Sequence, residues 1–210
     1  MLYKNTVEPS TLELLKNLQS SEALKDFHLV GGTALALHLG HRKSIDLDLF
    51  NLYDFDSQSL LEYLEQEYNF LSDYSAPNTL KGSINDIKID LICHKYPFIN
   101  QPMRLDDVRL LSIPDISAMK LNAIAGNGTR SKDFIDIYFI LKQYSLSEIL
   151  LFYKTKYHQR NVFHVIKSLV YFEDICMDDW PDMLLEKNVD IFKIKRFIEQ
   201  QVINYQMQNL

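Results

Sequence analysis

Cysteine is nearly missing from this sequence. Cys93 and Cys176 stand far apart in no ligand-like spacing, which excludes a disulfide framework or a thiolate zinc site and leaves two reduced thiols as the expectation. Six glycines and six prolines in 210 residues are too few for a low-complexity linker, and no internal repeat is visible. No apolar run is long enough to span a bilayer, and the start of the chain lacks the basic-then-apolar layout of a signal peptide. A cytoplasmic protein with no membrane partner is therefore expected. Positive charge is also in short supply. A formal net charge of −6 excludes nucleic-acid binding by the whole surface, which needs many Lys and Arg contacts to phosphates, while local basic patches stay open. What the chain has is apolar side chain, 47% of its residues, enough to bury a full core as one medium domain or two small packed lobes.

The densest chemistry lies between residues 30 and 50. Gly31 and Gly32 interrupt an apolar run and a helix-friendly segment begins at Thr33, so backbone N–H groups near the glycines can meet a phosphate with no Cβ in the way. Further on, residues 45 to 50 alternate apolar and acidic side chains. Read as a strand, this puts Asp46 and Asp48 on one face. Two adjacent carboxylates repel unless a cation joins them, and hard divalent ions such as Mg²⁺ take oxygen ligands of this kind.

Around this stretch the pattern predicts a first helix over residues 10 to 25, a short strand over 27 to 30, and a helix from Thr33 to Leu39 that Gly40 ends. Asp56 and Ser57 cap a helix through Leu60, Leu64 and Tyr68. Residues 71 to 94 turn to strands, with a hairpin of 79 to 84 against 87 to 93 across Asn85 and Asp86. Asp90 sits mid-strand, sharing a face with Lys88. A short strand fits 108 to 113. Helices then follow from Pro114, from Ser131, after a capping box of Ser145 and Glu148, and over 162 to 175 and 190 to 205. Mixed α and β before all-α predicts an α/β (α+β) lobe over 1 to 105 and a helical lobe over 106 to 210.

These residues also have plainer readings. Asp-x-Asp pairs occur on solvated strand faces, and His38 and His41 lack a third ligand, so a helix face and a turn donor suit them better than metal. Arg42 is a surface charge or a phosphate contact. Lys132, Asp133 and Asp136 suit the first turn of a helix. Tyr153 to Arg160 interleave aromatic and basic residues, a composition that stacks on RNA bases and grips phosphates, or else a helix end with cations near its carbonyls.

The run from Gly31-Gly32-Thr33 through His41-Arg42 and Ser44 to Asp46, Asp48, Leu49 and Phe50 resembles the first motif of the AbiEii/AbiGii-type toxin nucleotidyltransferases, members of the DNA polymerase β-like nucleotidyltransferase superfamily. Residues 115 to 125, with Lys120, look like the family's lysine-bearing helix, and Arg130 to Leu141 like its Arg…Lys-Asp-x-x-Asp element. The resemblance implies a polymerase β-like lobe with a mixed sheet and a helical lobe behind it. It implies that Gly31, Gly32 and Thr33 contact the triphosphate and that Asp46 and Asp48 bind Mg²⁺, with Mn²⁺ as the alternative ion. Asp90 falls at the third carboxylate, Lys120 neutralises phosphate charge, Asp133 is the acid of the last motif with Asp136 as its competitor, and Arg42 and Ser44 face the nucleotide. Thr33 stands where the superfamily commonly has serine, and residues after 141 match nothing further.

The expected function is thus metal-dependent transfer of NMP from an NTP to a hydroxyl. The acceptor is RNA such as a tRNA 3′ end, and the chain is the toxin of a toxin–antitoxin or phage-defence pair restrained by a cognate antitoxin. The alternatives are a small-molecule, aminoglycoside-type nucleotidyltransferase and a non-catalytic protein that binds nucleotide or a partner.

Overall fold

The computed structural model of the chain describes residues 1–208, which pack as two compact units. The first is Met1–Gly40, Ser44–Pro97 and Gln101–Leu111; the second is His41–Lys43, Phe98–Asn100 and the chain from Ser112 onward. Among the described residues no helix is long and apolar enough to cross a membrane. Cys93 and Cys176 are free thiols.

In the first unit, α1 (Pro9–Ser20) buries Leu14, Leu15 and Leu18. It is shorter than the helix expected over 10 to 25 because the Ser21 side chain accepts from Ala23 N–H and caps a separate 3₁₀ turn, Glu22–Leu24. The chain continues through β1 (His28–Leu29), α2 (Gly31–Leu39), β2 (Leu47–Asn51) and α3 (Ser57–Tyr68), which the Asp56 side chain caps. Then come β3 (Leu71–Ala76), β4 (Thr79–Ile84), β5 (Ile87–Cys93), β6 (Met103–Leu105) and β7 (Val108–Leu110). They form one mixed seven-stranded sheet in the order β3-β4-β5-β2-β1-β7-β6, with β2 parallel to β5 and β1 parallel to β7.

Two hairpins turn on residue pairs with positive φ, Asn85-Asp86 and Asp106-Asp107, as two-residue loops of matching twist require. The second carries β6 and β7. The expected division at 105/106 therefore falls inside a hairpin that the sheet keeps. At Gly82 a Cβ would lie 2.1 Å from the Leu71 carbonyl oxygen, so β3 crosses β4 at a distance only glycine allows. Gln19 ties α1 to the sheet: its amide donates to Arg109 O and accepts from Arg109 N–H, both at 2.7 Å.

The second unit is helical: α4 (Ile113–Gly126), α5 (Ser131–Ile140), α6 (Leu146–Tyr157), α7 (Phe163–Leu169) and α8 (Ile191–Gln208). The capping box of Ser145 and Glu148 opens α6 as expected. The helix expected over 162 to 175 ends at Leu169, because the chain after it turns back to pair Cys176 with Arg130, its N–H donating to Thr129 O at 2.8 Å. α8 buries Ile194, Ile198 and Val202 at four-residue spacing.

A fully buried ion pair holds this unit's interior. Lys156 Nζ donates to Asp115 Oδ1 at 2.9 Å, and the same carboxylate accepts from Ile99 N–H, Asn100 N–H and Ser112 Oγ. Tyr153, Lys156 and Tyr157 are buried, so of the two readings of the aromatic–basic stretch, RNA contact or helix end, the helix end is the one seen: it turns its rings and one of its cations inward, and α6 presents a core face there. Replacing Asp115 by Ala strands a buried ammonium. The expected loss is about 3–5 kcal/mol of stability, read as a fall in the urea midpoint, and a loss below about 1 kcal/mol would show that Lys156 finds water instead.

Candidate active site

Local chain geometry builds the first unit's polar cluster. Val30 is extended and its N–H donates to Asp48 O at 2.9 Å, which brings the end of β1 against β2. α2 then starts at Gly31, two residues earlier than the sequence pattern indicated, with φ at +67°. A Cβ on Gly31 would lie 2.1 Å from Asp48 Oδ2, so the helix start passes directly against that carboxylate and only glycine fits. The first-turn N–H groups of Gly31, Gly32 and Thr33 lack helical partners, and the cap residue Val30 offers no side-chain acceptor.

Thr33 is buried, and its hydroxyl donates to the Asp46 carbonyl oxygen. Having one proton, Thr33 must accept at its 2.8 Å contact with Ser44 Oγ, so Ser44 is the donor there. Ser44 N–H in turn donates to Thr6 O at 2.9 Å. These bonds take residues 44 to 46 out of the ladder. β2 begins at Leu47, and Asp46 stands at its threshold rather than alternating with Asp48 along a strand.

The ladder itself supplies a different neighbour for Asp48. On the parallel pair β2 and β5, Asp48 is in register with Asp90, and on the antiparallel pair β4 and β5, Asp90 is in register with Lys81. In-register residues leave a sheet on the same face, about 5 Å apart per strand. Two carboxylates at that spacing repel by about 3 kcal/mol at an effective dielectric of 20. Lys81 Nζ donates to Asp90 Oδ2 at 2.6 Å, and since Lys81 is 43% exposed the pair is worth at most about 1 kcal/mol.

Lys81 escaped the sequence reading, yet a signal existed. A two-residue turn at Asn85-Asp86 pairs Ile84 with Ile87, and counting back places Lys81 opposite Asp90. Among the described residues no three His, Cys, Asp or Glu side chains converge closely enough to hold a metal by themselves. The donor chemistry nonetheless fits Mg²⁺, which is usually held by one or two carboxylates together with waters and substrate phosphates.

The second unit gathers the other candidates. Asp136 is fully buried; Arg42 Nε reaches its Oδ1 at 2.7 Å and Arg42 Nη2 its Oδ2 at 3.0 Å, a two-pronged grip. His41 Nε2 lies 2.8 Å from Oδ1, and Lys120 Nζ lies 2.7 Å from Oδ2 and donates to Asp133 Oδ1 at 2.6 Å. Burial alone would push Asp136 up, but the Arg42 and Lys120 cations hold it well below the usual carboxylate range. Burial opposes the Lys120 ammonium as well, and the Asp133 and Asp136 carboxylates outweigh it, raising the group above its ordinary value. Burial, with the Arg42 and Lys120 cations, lowers His41 against the pull of Asp136, so the ring is neutral and its Nε2–H donates. Buried Asp133 Oδ2 and His41 Nδ1 have no hydrogen-bond partner.

Arg42, Lys120 and Asp133 thus meet one another in a charge-balanced cluster whose hub is Asp136. Its competitor for the last motif, Asp133, touches only the Lys120 end. His38, by contrast, bonds to the Leu111 carbonyl at 2.8 Å in the first unit.

The profile of the family described as "Nucleotidyl transferase AbiEii toxin, Type IV TA system" matches residues 13–207. An uncharacterised protein of Aquifex aeolicus (strain VF5) is 32% identical over 197 residues, covering 89% of this chain and 95% of that one. Among solved structures, a candidate nucleotidyltransferase from H. pylori is similar with a TM-score of 0.54 at 16% identity, over 96% of this chain and 98% of that one. The antibiotic-resistance factor ANT(2'')-Ia is similar with a TM-score of 0.54 at 13% identity, over 69% and 88%. At such identities the two structures speak for the fold alone.

The depressed Asp136 contributes stability that is complete above the ordinary aspartate range and lost as pH falls through its lower folded value. Lys120, raised, contributes below the ordinary lysine range and loses it only at higher pH. In urea titrations across pH, Asp136→Asn should cost about 3–5 kcal/mol at neutrality. The gap should begin to narrow below about pH 4 and close only at the depressed folded value; a gap unchanged down to about pH 3 would show that Asp136 is not ionised in the fold.

Proposed function

The chain belongs to the AbiEii toxin family and is a nucleotidyltransferase, and on that premise we propose that it transfers NMP from an NTP to a hydroxyl of RNA, such as a tRNA 3′ end, using Mg²⁺. The family implies an antitoxin partner, and we place the reaction in the toxin's action on its host, or in phage defence, under that partner's restraint. The observation that carries the reading is the in-register pair Asp48 and Asp90 beside the glycine start of α2.

The first-turn N–H groups at Gly31, Gly32 and Thr33 seat phosphate oxygens of the donor. Asp48, Asp90 and the threshold carboxylate of Asp46 supply hard oxygen ligands. Mg²⁺ or Mn²⁺ bound there would neutralise charge developing on the phosphoryl oxygens and the leaving group. The acceptor oxygen attacks the α-phosphorus in line, the bond to the bridging oxygen breaks, and pyrophosphate leaves with that electron pair. Lys81 holds Asp90 Oδ2, so the proton of the attacking hydroxyl passes to Oδ1. The Thr33 hydroxyl is spent inside the fold on Asp46 and Ser44; Thr33 serves the nucleotide through its backbone N–H, and its side chain aligns Asp46. Arg42, Ser44, Lys120 and Asp133 enter this proposal by resemblance.

Incubation with α-³²P-NTPs in turn, Mg²⁺ and total RNA should label RNA. Asp46→Asn and Asp48→Asn should each lower labelling by more than about 100-fold, the scale of losing several kcal/mol of charge stabilisation. Parent-level labelling by either variant, with folding intact by circular dichroism, would refute the site. Labelling of an aminoglycoside with RNA left unlabelled would instead identify a small-molecule acceptor.

A further inference from the structure

Beyond Asp90, the row of in-register residues continues outward. Lys81 on β4 is in register with Tyr74 on the edge strand β3, giving the line Tyr74–Lys81–Asp90–Asp48 across four strands. Ser83 pairs with Lys88, which puts Lys88 on the same face two residues from Asp90. The opposite face of β4 is core: Leu80, Gly82 and Ile84 are buried. The face with Asp90 is open, with Tyr74 54% exposed and Lys88 exposed. One Lys81 donor goes to Asp90 Oδ2, and an ammonium has two more.

We propose that this face of the β3–β4–β5 meander is the acceptor platform, seating single-stranded RNA with a base stacked on Tyr74 and backbone phosphates on Lys81 and Lys88, so that the strand's terminal hydroxyl reaches Asp90. The inference rests on the RNA-acceptor reading above and specifies where that acceptor lies. Charge complementarity selects the occupant. The chain is acidic, with a net charge of −6, and here two lysines stand inward of an exposed aromatic ring, Lys81 on the next strand and Lys88 on the one beyond, a combination of ring and cations that binds single strands without reading their sequence. Continuity gives the direction: Tyr74 stands two strands, about 10 Å, from Asp90. An RNA lying along the row therefore delivers its end to the carboxylates. A polycationic small acceptor would meet like charge at Lys81 and Lys88.

Tyr74 and Lys88 lie outside the donor site, so their variants separate acceptor from nucleotide. With a fluorescein-labelled single-stranded RNA of about ten nucleotides, Tyr74→Ala should raise the Kd by anisotropy, and the KM for RNA in transfer, about tenfold. The KM for NTP should stay unchanged, and Tyr74→Phe should restore both. Lys88→Ala should weaken binding and reduce the slope of log Kd against log salt by about one. If the parent labels RNA and both alanine variants bind and use it as the parent does, the platform is wrong and the RNA reading stands. A rise in NTP KM equal to the rise for RNA would also overturn it. If the parent labels no RNA, the acceptor reading fails and the platform falls with it.

Discussion

The approach of α2 to Asp48 is the constraint on which the first unit's chemistry depends. A helix start and a strand carboxylate ordinarily stand apart by at least a side chain. Here Gly31 removes that side chain, adopts a positive φ, and lets the N–H groups of the first turn, which have no partner within the helix, share one space with the carboxylate. The positive end of the helix and the acid favour each other. The same few residues then fix everything nearby: Val30 N–H holds the Asp48 carbonyl, and Thr33, two residues into the helix, holds the Asp46 carbonyl and the Ser44 hydroxyl. The helix start and the Asp48 carboxylate are adjacent because the backbone makes them so.

Charge in the second unit is handled differently, by enclosure. Lys120 and Lys156 are both buried lysines, and each is offered carboxylate oxygens at hydrogen-bond distance. In the Asp136 cluster two cations meet two carboxylates, which cancels formal charge while leaving geometry demanding, since a two-pronged Arg42 grip admits one orientation. Such a network contributes specificity of arrangement more than net stability. It also explains why residues 41 to 43 belong with the helices. Arg42 bridges to Met183, Lys43 N–H donates to Asp182 O, and Leu184 N–H donates to His41 O, so backbone and side chain hold the segment together.

Period and punctuation made much of the fold legible. The Asn85-Asp86 hairpin, the Asp56 cap and the Ser145–Glu148 box all encode structure within a few residues, and each appears as read. The failures share one cause, bonds to distant residues. Ile45 and Asp46 alternate like a strand, but Ser44 and Asp46 bond to Thr6 and Thr33 instead. The helix pattern to Ile175 yields to pairing between Cys176 and the segment after α4. At the site, the glycines and acids were readable as residue types, while the identity of their neighbours was not: that Lys120 and Asp133 contact each other and that Asp136 is the hub required the tertiary fold.

The aromatic–basic stretch from Tyr153 to Arg160 and the row from Tyr74 to Lys88 show how little composition says about which side chains share a surface. Lys156 and Tyr157 follow Tyr153 by three and four residues on a helix, a spacing that gathers them on one face, and α6 turns that face inward. Tyr74, Lys81 and Lys88 are scattered in sequence and form no motif. Two antiparallel turns bring them together, because each hairpin register converts a separation along the chain into one strand spacing across the sheet. The proposed platform asks for ring and cations in a line leading to the carboxylates, and a sheet row supplies such a line while a buried helix face does not. Asp90 stands beside Asp48 through the β2–β5 pairing and beside Lys81 through the β4–β5 pairing, so the proposed donor carboxylates and the proposed acceptor platform share β5.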